Sequence, residues 1–499
     1  MQFNTPLYII GFLPTVCFVF FILKSRFSHS AALVWLLSSS LFFYAYRNPY
    51  HIFLLTSSIG FNYLLTKIFL SESFSEVFNN NKKTSQTVAI SIGIATNLII
   101  LACFKYWNFF KTEILLVQGN TEPLQNAILP LAISFFTFQQ IAYLVDCFRD
   151  KRQEKDFLNY ALFVSFFPQL VSGPIVHHSE MMPQFADKKN SHPNTINIVL
   201  GISIFFIGLF KKSVIADPIA NVVDIGFNNI DHLGFIDAWV VTLGFTLQIY
   251  YDFSGYTDMA CGAALLFNIS LPRNFNSPYK ALSIRDFWKR WHMTLSRWFE
   301  NYLYIPLGGS KSGISRTYIN ILLTFLLSGL WHGAGWTFVF WGVLHGTAVS
   351  INRIWSNTGL RMPKALAWLL TFITLNILWV LFRSDSISES MVLITKLLGS
   401  YESSYSSEFL NLLRSNFEYS YYYTSLTTEK TNIIPIEIPI VIGLIGLLFK
   451  NSNQLENYIR NSFNKKTSII TFSFIGTIAG ISIYKILSTS GNEFIYFNF

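Results

Sequence analysis

Runs of apolar residues separated by short polar stretches extend along the whole chain. Twelve of these runs contain 16 to 21 residues, close to the length a helix needs to cross the hydrocarbon core of a bilayer. The pattern therefore predicts an all-α fold, a polytopic transmembrane helical bundle of about 11–12 spans. The predicted spans are residues 7–23, 31–46, 50–69, 87–107, 127–146, 198–215, 236–253, 317–333, 335–352, 363–382, 433–450 and 468–487.

A further apolar run, residues 157–176, contains Pro168, Gly173 and Pro174. Proline removes a backbone donor and kinks a helix, so this run is predicted to be re-entrant or broken. Irregular backbone at membrane depth is tolerated only where protein or water satisfies its polar groups.

The distribution of charge between the spans predicts their orientation. Residues 113–125 and 216–235 contain no Lys or Arg, and residues 399–429 are acidic. Basic residues instead concentrate in loops that the positive-inside rule places in the cytoplasm, so both termini are predicted to lie outside. The first run has no basic residue before it, which favours a retained span over a secretory signal. The basic loop residues are Arg149, Lys151, Arg152, Lys155, Lys188, Lys189, Arg460, Lys465 and Lys466.

The longest basic segment, residues 271–316, combines eight Lys or Arg with two acidic residues. Between Ile284 and Phe299 its apolar positions recur at helical spacing, which predicts an amphipathic helix at the cytoplasmic interface. A simple lipid-surface anchor and a binding site for an anionic ligand are both compatible with this pattern.

Composition supports a membrane protein and excludes several classes. Of 499 residues, 52% are hydrophobic and 13% are charged, against about 25% charged in an ordinary soluble protein. The net charge of +9 fits basic cytoplasmic loops better than a nucleic-acid partner. The four cysteines form no CxxC pair, and His177 and His178 lack a carboxylate at metal-ligand spacing, so neither a disulfide nor a metal site is predicted.

Polar groups inside a membrane are costly and are functional candidates by default. His332 lies between two short predicted spans within residues 328–336, which also contain three glycines, Trp331 and Trp336. A neutral imidazole there has the chemistry to accept a proton from an attacking hydroxyl. A structural histidine bonded to a carbonyl is the alternative.

Two other clusters carry candidate chemistry. His292 lies within the predicted interfacial helix, where it either joins His332, lines a passage or reaches the interface. Asp252, Ser254 and Asp258 end a predicted span, and Gly255 between them suggests a bend across which the carboxylates face each other. A Ser-His-Asp triad using Ser254 is disfavoured because no nucleophile elbow surrounds it. Bonds from these carboxylates to backbone or arginine are favoured instead.

At these clusters the chain resembles the membrane-bound O-acyltransferase family, and within it the bacterial alginate O-acetyltransferase branch. The resemblance covers approximately residues 130–383 of a single integral-membrane domain, 1–499, with further C-terminal spans in 400–499. The stretches that carry it are residues 248–258, 271–279, 287–292, 302–309, 329–336 and 379–383.

The resemblance implies a central funnel or tunnel, His332 at the catalytic position and His292 at a position also associated with the site. No bound cofactor is expected, and acetyl-CoA or another acyl donor is a substrate that approaches from the cytoplasm. Candidates for holding donor phosphates are Arg273, Lys289 and Arg290. Candidates for lining the substrate path are Trp331, Trp291, Trp288, Asn274, Asp252, Ser254, Asp258, Tyr302 and Trp336.

The implied function is an O-acyltransferase of the bacterial inner membrane that serves O-acetylation of an exported polysaccharide of the alginate, cellulose or peptidoglycan type. A periplasmic esterase-like partner is expected, because the chain has no large outside domain to modify the polymer. D-alanyl transfer of the teichoic-acid type is an alternative that the C-terminal spans disfavour. A transporter or flippase is another, and the lack of an internal repeat weakens it.

Overall fold

A computed structural model gives the fold of most of the chain. It describes residues 1–71, 74, 82–111, 130–151, 153–188, 192–399, 406–418, 437–462, 468–488 and 492–495. These residues contain helices and connecting segments but no strand, as the apolar pattern predicts. The predicted loop stretch 113–125 and most of 399–429 lie outside the described residues, as do Arg152, Lys189, Lys465 and Lys466.

The longer helices, labelled here in chain order, account for most of the described chain. They are α1 (Leu13–Arg26), α2 (His29–Ala45), α3 (His51–Phe69), α4 (Lys82–Lys105), α5 (Ile133–Asp150), α6 (Phe157–Ser165), α7 (His178–Ala186), α8 (Thr195–Phe210), α9 (Asp217–Asn228), α10 (Phe235–Leu265), α11 (Ile284–Trp288), α12 (Met293–Phe299), α13 (Ile314–His332), α14 (Trp336–Asn357), α15 (Lys364–Arg383), α16 (Ile387–Leu397), α17 (Ser407–Glu418), α18 (Glu437–Leu448), α19 (Ser452–Ser462) and α20 (Ser468–Ser488).

Shorter pieces complete the helical structure. Wide π-type turns precede α1, join α8 to α9 and follow α12, and short helical turns fill four connections. The π-type turns are Leu7–Phe12, Lys211–Ala216 and Glu300–Tyr304, and the short turns are Trp107–Phe109, Phe167–Leu170, Ile230–His232 and Pro278–Lys280.

Seven helices in the described part of the chain are long and apolar enough to cross a membrane, and each coincides with a predicted span. They make this a multi-pass membrane protein. The described parts of the remaining predicted spans overlap helices that are shorter or more polar, such as α2 and α14, whereas residues 127–129 and 433–436 lie outside the described residues. The seven are Leu7–Arg26, His51–Phe69, Lys83–Lys105, Thr195–Asn228, Ile314–His332, Lys364–Arg383 and Ile469–Ser488.

The chain forms two compact units, and α8 and α10 each contribute residues to both. Unit 1 comprises Met1–Phe205, Thr257–Arg273 and Thr294–Pro306. Unit 2 comprises Phe206–Tyr256, Asn274–Met293 and Leu307–Phe499, and it contains both candidate histidines.

The structure differs from the expected geometry at three places. The helix that begins at Thr195 continues to Asn228, so much of the predicted outside loop 216–235 is helical. Helix α10 runs without interruption through Gly255, so Asp252 and Asp258 do not face each other across a bend. Gly255 is used for close packing, since a Cβ there would approach the carbonyl oxygen of Gly208 to 2.7 Å.

The third difference concerns the predicted interfacial helix. It is broken into α11 and α12, with His292 at the break in a left-handed conformation (φ +42°). Hydrophobic spacing alone does not reveal such a break, because the apolar positions on both sides keep helical periodicity. The run 157–176 is broken, as Pro168 predicts, into α6 and a short turn.

Candidate active site

Helices α13 and α14 position His332 in unit 2. His332 is the last residue of α13, and an extended glycine follows it before α14 begins at Trp336. The two helices cross closely at Gly329 and Gly342, whose Cα atoms leave no room for a side chain: a Cβ on Gly342 would stand 3.2 Å from Cα of Gly329 and overlap the carbonyl oxygen of Phe325. Small residues at a crossing allow such an approach.

Aromatic rings surround the His332 imidazole, which is 2% exposed. Its ring centroid lies 4.8 Å from that of Trp331, 5.1 Å from Trp341 and 5.2 Å from Phe382. All three rings meet it edge to face, a favourable arrangement for aromatic pairs. They place the imidazole in an apolar environment that excludes bulk water.

His292 is fully buried in the same unit. Its ring contacts Phe253 at 4.8 Å and Trp331 at 6.2 Å between centroids. Neither ring nitrogen has a hydrogen-bond partner among the described residues. Burial lowers the pKa of His292 to about 3, so the imidazole is neutral at physiological pH. A buried imidazole without a protein partner is a candidate for contacting substrate.

A third buried histidine, His345, extends the cluster on α14. The indole Nε1 of Trp288 donates to its Nδ1 at 3.3 Å. An indole nitrogen is a donor only, so Nδ1 must accept and the neutral ring carries its proton on Nε2. Within the described residues that Nε2 has no partner. Its ring lies 4.6 Å from Trp341, on the same helix.

Nine of these rings, without Phe253, form one connected aromatic group, which we call the His–Trp cluster. The rings of Trp341 and Trp379 are stacked with centroids 6.1 Å apart, and the centroid of Trp379 lies 5.1 Å from that of Trp291. The sequence identified some members, whereas Trp341, Trp379 and Phe382 gained no role from it. The sequence feature that could have identified them is helical spacing, which places Trp341 and His345 (i, i+4) on one helix face and Trp379 and Phe382 (i, i+3) on another. The members are His292, His332, His345, Trp288, Trp291, Trp331, Trp341, Trp379 and Phe382.

Backbone pairing holds the segment that carries Trp291 and His292. The amide of Asn276 donates to the Arg290 carbonyl, and the amide of Met293 donates to the Asn274 carbonyl, both at 2.9 Å. Ser283 caps α11 by accepting from a backbone amide at 3.1 Å. Asn274 therefore supports His292 through its backbone, and its side chain is buried at 2% exposure.

The other polar candidates of unit 2 bond to lysines. Asp252 forms an ion pair with Lys212 at 3.0 Å, and Lys212 also pairs with Asp217 at 2.8 Å. The Ser254 hydroxyl accepts from Lys211 at 2.9 Å. Asp252 also accepts from the backbone amide of Ile495 at 3.0 Å, so the predicted bond to backbone is present, whereas its charged partner is a lysine and not an arginine. The lysine was missed because Lys212 lies inside a predicted span. Trp336, by contrast, is 46% exposed.

Three predicted site residues belong to unit 1, namely Tyr302, Asp258 and Arg273. The Tyr302 hydroxyl donates to Asp146 at 2.6 Å and lies 3.0 Å from Nδ1 of His177. Asp258 is buried and Arg273 is half-buried. No group of three or more potential metal ligands occurs among the residues that the structure describes.

An ion pair in unit 1 joins α7 to α12. Glu180 accepts two hydrogen bonds from Arg297, at 2.6 and 3.0 Å, and caps the start of α7. Burial alone raises the pKa of Glu180, but the hydrogen bond and charge of Arg297 outweigh it and lower that pKa below its ordinary value.

Basic side chains in unit 2 differ in what they contact. Lys289 is exposed, and Arg290 already pairs with Asp286 at 2.8 Å. A small recess of about 40 Å³ is lined by three lysines without any carboxylate, a set that sequence analysis missed because its members are distant in the chain. The recess also contains tyrosines, and it is lined by Lys211, Tyr250, Tyr251, Ser277, Tyr279, Lys280, residues 446–447 and residues 449–451.

Comparison with known proteins adds independent information. The model of the membrane-bound O-acyltransferase family matches residues 83–387. A peptidoglycan O-acetyltransferase of Helicobacter pylori is 42% identical, and the match covers 100% of this chain and 98% of the relative. A probable alginate O-acetylase of Azotobacter vinelandii is 34% identical over 78% of this chain and 76% of the relative. A teichoic acid D-alanyltransferase of Bacillus subtilis is 28% identical over 55% of this chain and 70% of the relative.

Proposed function

This chain belongs to the membrane-bound O-acyltransferase family, and from that premise we propose that it transfers acetyl groups for the O-acetylation of peptidoglycan, with His332 as the catalytic base. The match of its whole length to a peptidoglycan O-acetyltransferase is the observation that carries the choice of polymer. The burial of His332 among aromatic rings supports the choice of base.

In the proposed reaction, His332 removes the proton from an acceptor hydroxyl as its oxygen attacks the acetyl carbonyl of a thioester. The tetrahedral intermediate collapses with cleavage of the carbon–sulfur bond. The thiolate leaves and takes up the proton that His332 received, so protons and charge balance. The apolar rings around the imidazole favour this step, because electrostatic interactions strengthen where water is excluded.

His292 and His345 contribute hydrogen-bonding groups to the proposed site. His345 offers the Nε2 proton that its bond from Trp288 implies. Neutral His292 offers one donor and one acceptor. We assign these groups to binding the acceptor and the developing oxyanion, since each is buried and has no partner in the described parts of the chain.

We propose acetyl-CoA as the donor. Its phosphates require cations, and the recess lined by Lys211, Lys280 and Lys450 supplies three lysines without a carboxylate. Arg273, Lys289 and Arg290 remain candidates for the same role. If the recess binds phosphate, CoA will raise the melting temperature of the wild-type protein, and Lys280→Gln will reduce that shift more than the exposed control Lys364→Gln.

We further propose that the protein lies in the inner membrane and passes the acetyl group to a periplasmic partner of the esterase type. The longest stretch that the charge pattern assigns to the outside, residues 399–429, is shorter than a typical domain. A separate protein therefore supplies the surface that binds the polymer.

The test is chemical analysis of the cell wall. Cells lacking the gene are complemented with the wild type, His332→Ala or an empty vector, and ester-linked acetate is measured on purified peptidoglycan and on soluble polysaccharide. We expect wild-type protein alone to restore acetate on peptidoglycan. Acetate restored only on another polymer would refute the choice of peptidoglycan, and ester-linked D-alanine instead of acetate would refute acetyl transfer.

A further inference from the structure

The segment 492–495 lies against the buried ion pairs of unit 2. The backbone amide of Ile495 donates to Oδ2 of Asp252 at 3.0 Å. The ammonium group of Lys212 donates to the carbonyl of Glu493 at 3.2 Å. Both side chains are 3% exposed, so this segment supplies partners that water cannot easily replace.

A third anchor of this segment is Asn492, one residue before Glu493. The side-chain amide of Asn492 donates to the backbone carbonyl of Asp217 at 3.2 Å and to Oδ1 of Asn221 at 3.1 Å. Asp217 is the second carboxylate paired with Lys212. The segment is therefore bonded to the carboxylate of Asp252, the ammonium of Lys212 and the backbone of Asp217.

These anchors hold the ring of Phe494 between two aromatic residues of α10. It stacks on Tyr256 with centroids 4.2 Å apart and an interplanar angle of 19°, and it contacts Phe253 at 5.7 Å. Phe253 in turn meets His292 edge to face at 4.8 Å, and His292 contacts Trp331. Phe494 is 2% exposed, so its ring is enclosed by protein.

We propose that Phe494 is a positioning residue for acyl transfer, which fixes the ring of Phe253 against the imidazole of His292. The expected effect of Phe494 on the reaction rate rests on the proposed function, whereas its expected effect on the position of His292 rests on geometry alone. His292 needs such support because its backbone is left-handed and, within the described residues, no hydrogen bond orients its ring. Ring packing from Phe253 and Trp331 therefore constrains its orientation.

The experiment compares Phe494→Ala with a matched control, Phe409→Ala. Phe409 is also a buried phenylalanine of unit 2, at 1% exposure, and it lies on α17 outside the His–Trp cluster. Both variants are purified as full chains in lipid nanodiscs, and their melting temperatures are recorded. Two properties are then measured: kcat and KM for acetyl transfer, and the rate at which diethyl pyrocarbonate modifies His292, read by mass spectrometry of its peptide.

We expect Phe494→Ala to lower kcat about tenfold while KM for the acceptor changes less than about twofold, because the contact of His292 with the developing oxyanion forms only in the transition state and His345 also holds the acceptor. Modification of His292 should accelerate about fivefold because its apolar cover is loosened. Phe494→Leu, which keeps an apolar side chain in the same space, should lower kcat less than Phe494→Ala does, and Phe409→Ala should change neither value even if its melting temperature falls.

Two results would overturn the inference. One is a rate of His292 modification in Phe494→Ala that equals the rate in the wild-type protein. The other is an equal loss of kcat in Phe494→Ala and Phe409→Ala, which would reduce Phe494 to a general structural role. Failure of the proposed function is distinguishable, because the wild-type protein would then transfer no acetyl group while the modification of His292 still reports on its packing.

Discussion

The crossing of α13 and α14 offers a sharp test of how the scaffold sets the geometry of His332. In Gly342→Ala the added methyl group would overlap the carbonyl oxygen of Phe325 and stand 3.2 Å from Cα of Gly329. Both obstructing groups are backbone, so no side chain can move aside. To restore ordinary contact distances of about 3.5 Å or more, the two helices must separate locally by about 1 Å.

That displacement moves His332, at the end of α13, relative to Trp341, one residue before the substituted position on α14. A misplacement of about 1 Å can lower a rate about 100-fold, which corresponds to about 2.7 kcal/mol of transition-state stabilisation. We expect Gly342→Ala to lose that much in kcat/KM for acetyl transfer, measured with purified protein in nanodiscs.

The matched controls are Gly476→Ala and Gly480→Ala on α20, where a Cβ meets no atom within 4 Å. These substitutions should leave kcat/KM unchanged and should stabilise the helix slightly, since alanine has the higher helix propensity. A folded Gly342→Ala protein that keeps more than half of the wild-type rate would refute the claim that this crossing sets the position of His332.

Two further predictions concern charges outside the His–Trp cluster. Lys212→Met leaves the carboxylates of Asp217 and Asp252 buried without their cation, so it should destabilise the protein by about 3–5 kcal/mol; a melting temperature equal to that of the wild type would contradict this. Glu180→Gln should cost only about 0.5–1 kcal/mol at pH 7, because Glu180 and Arg297 are 38% and 36% exposed. The pKa of Glu180 is lower in the folded protein than its unfolded value of about 4.3, so the stabilisation by the ion pair is complete above that value. This stabilisation disappears as the pH falls through the folded pKa. The melting temperatures of wild type and Glu180→Gln should therefore become equal at low pH. A stability difference that persists unchanged in acid would exclude the ion pair as its source.

The sequence predicted the features that depend on local patterns. Apolar runs of sufficient length predicted all seven of the long apolar helices, because the thickness of the bilayer fixes the length of a span. His332 was predicted to lie between two spans, and the structure places it at the end of α13, shortly before α14 begins. The motifs also identified the family, which the comparisons confirm.

Contacts between distant parts of the chain were not predictable in this way. Lys212 and Asp252 are 40 positions apart, and the segment that bonds to both begins 240 residues after Asp252. Neither the period of hydrophobic residues nor a short motif carries information about such pairs. The break at His292 was not predicted for another reason. A left-handed position is usually occupied by glycine, and here it is occupied by histidine.

The most direct test of the central claim is acetyl transfer by the purified full chain from acetyl-CoA labelled in its acetyl group, with the wild type compared with His332→Ala. Hydroxyl acceptors of the peptidoglycan type and, separately, the candidate periplasmic partner are supplied, and release of CoA and label on the acceptor are followed. We expect transfer by the wild type and a loss of at least about 1,000-fold in a His332→Ala protein that remains folded. Transfer by a folded His332→Ala protein at a rate near that of the wild type would contradict it.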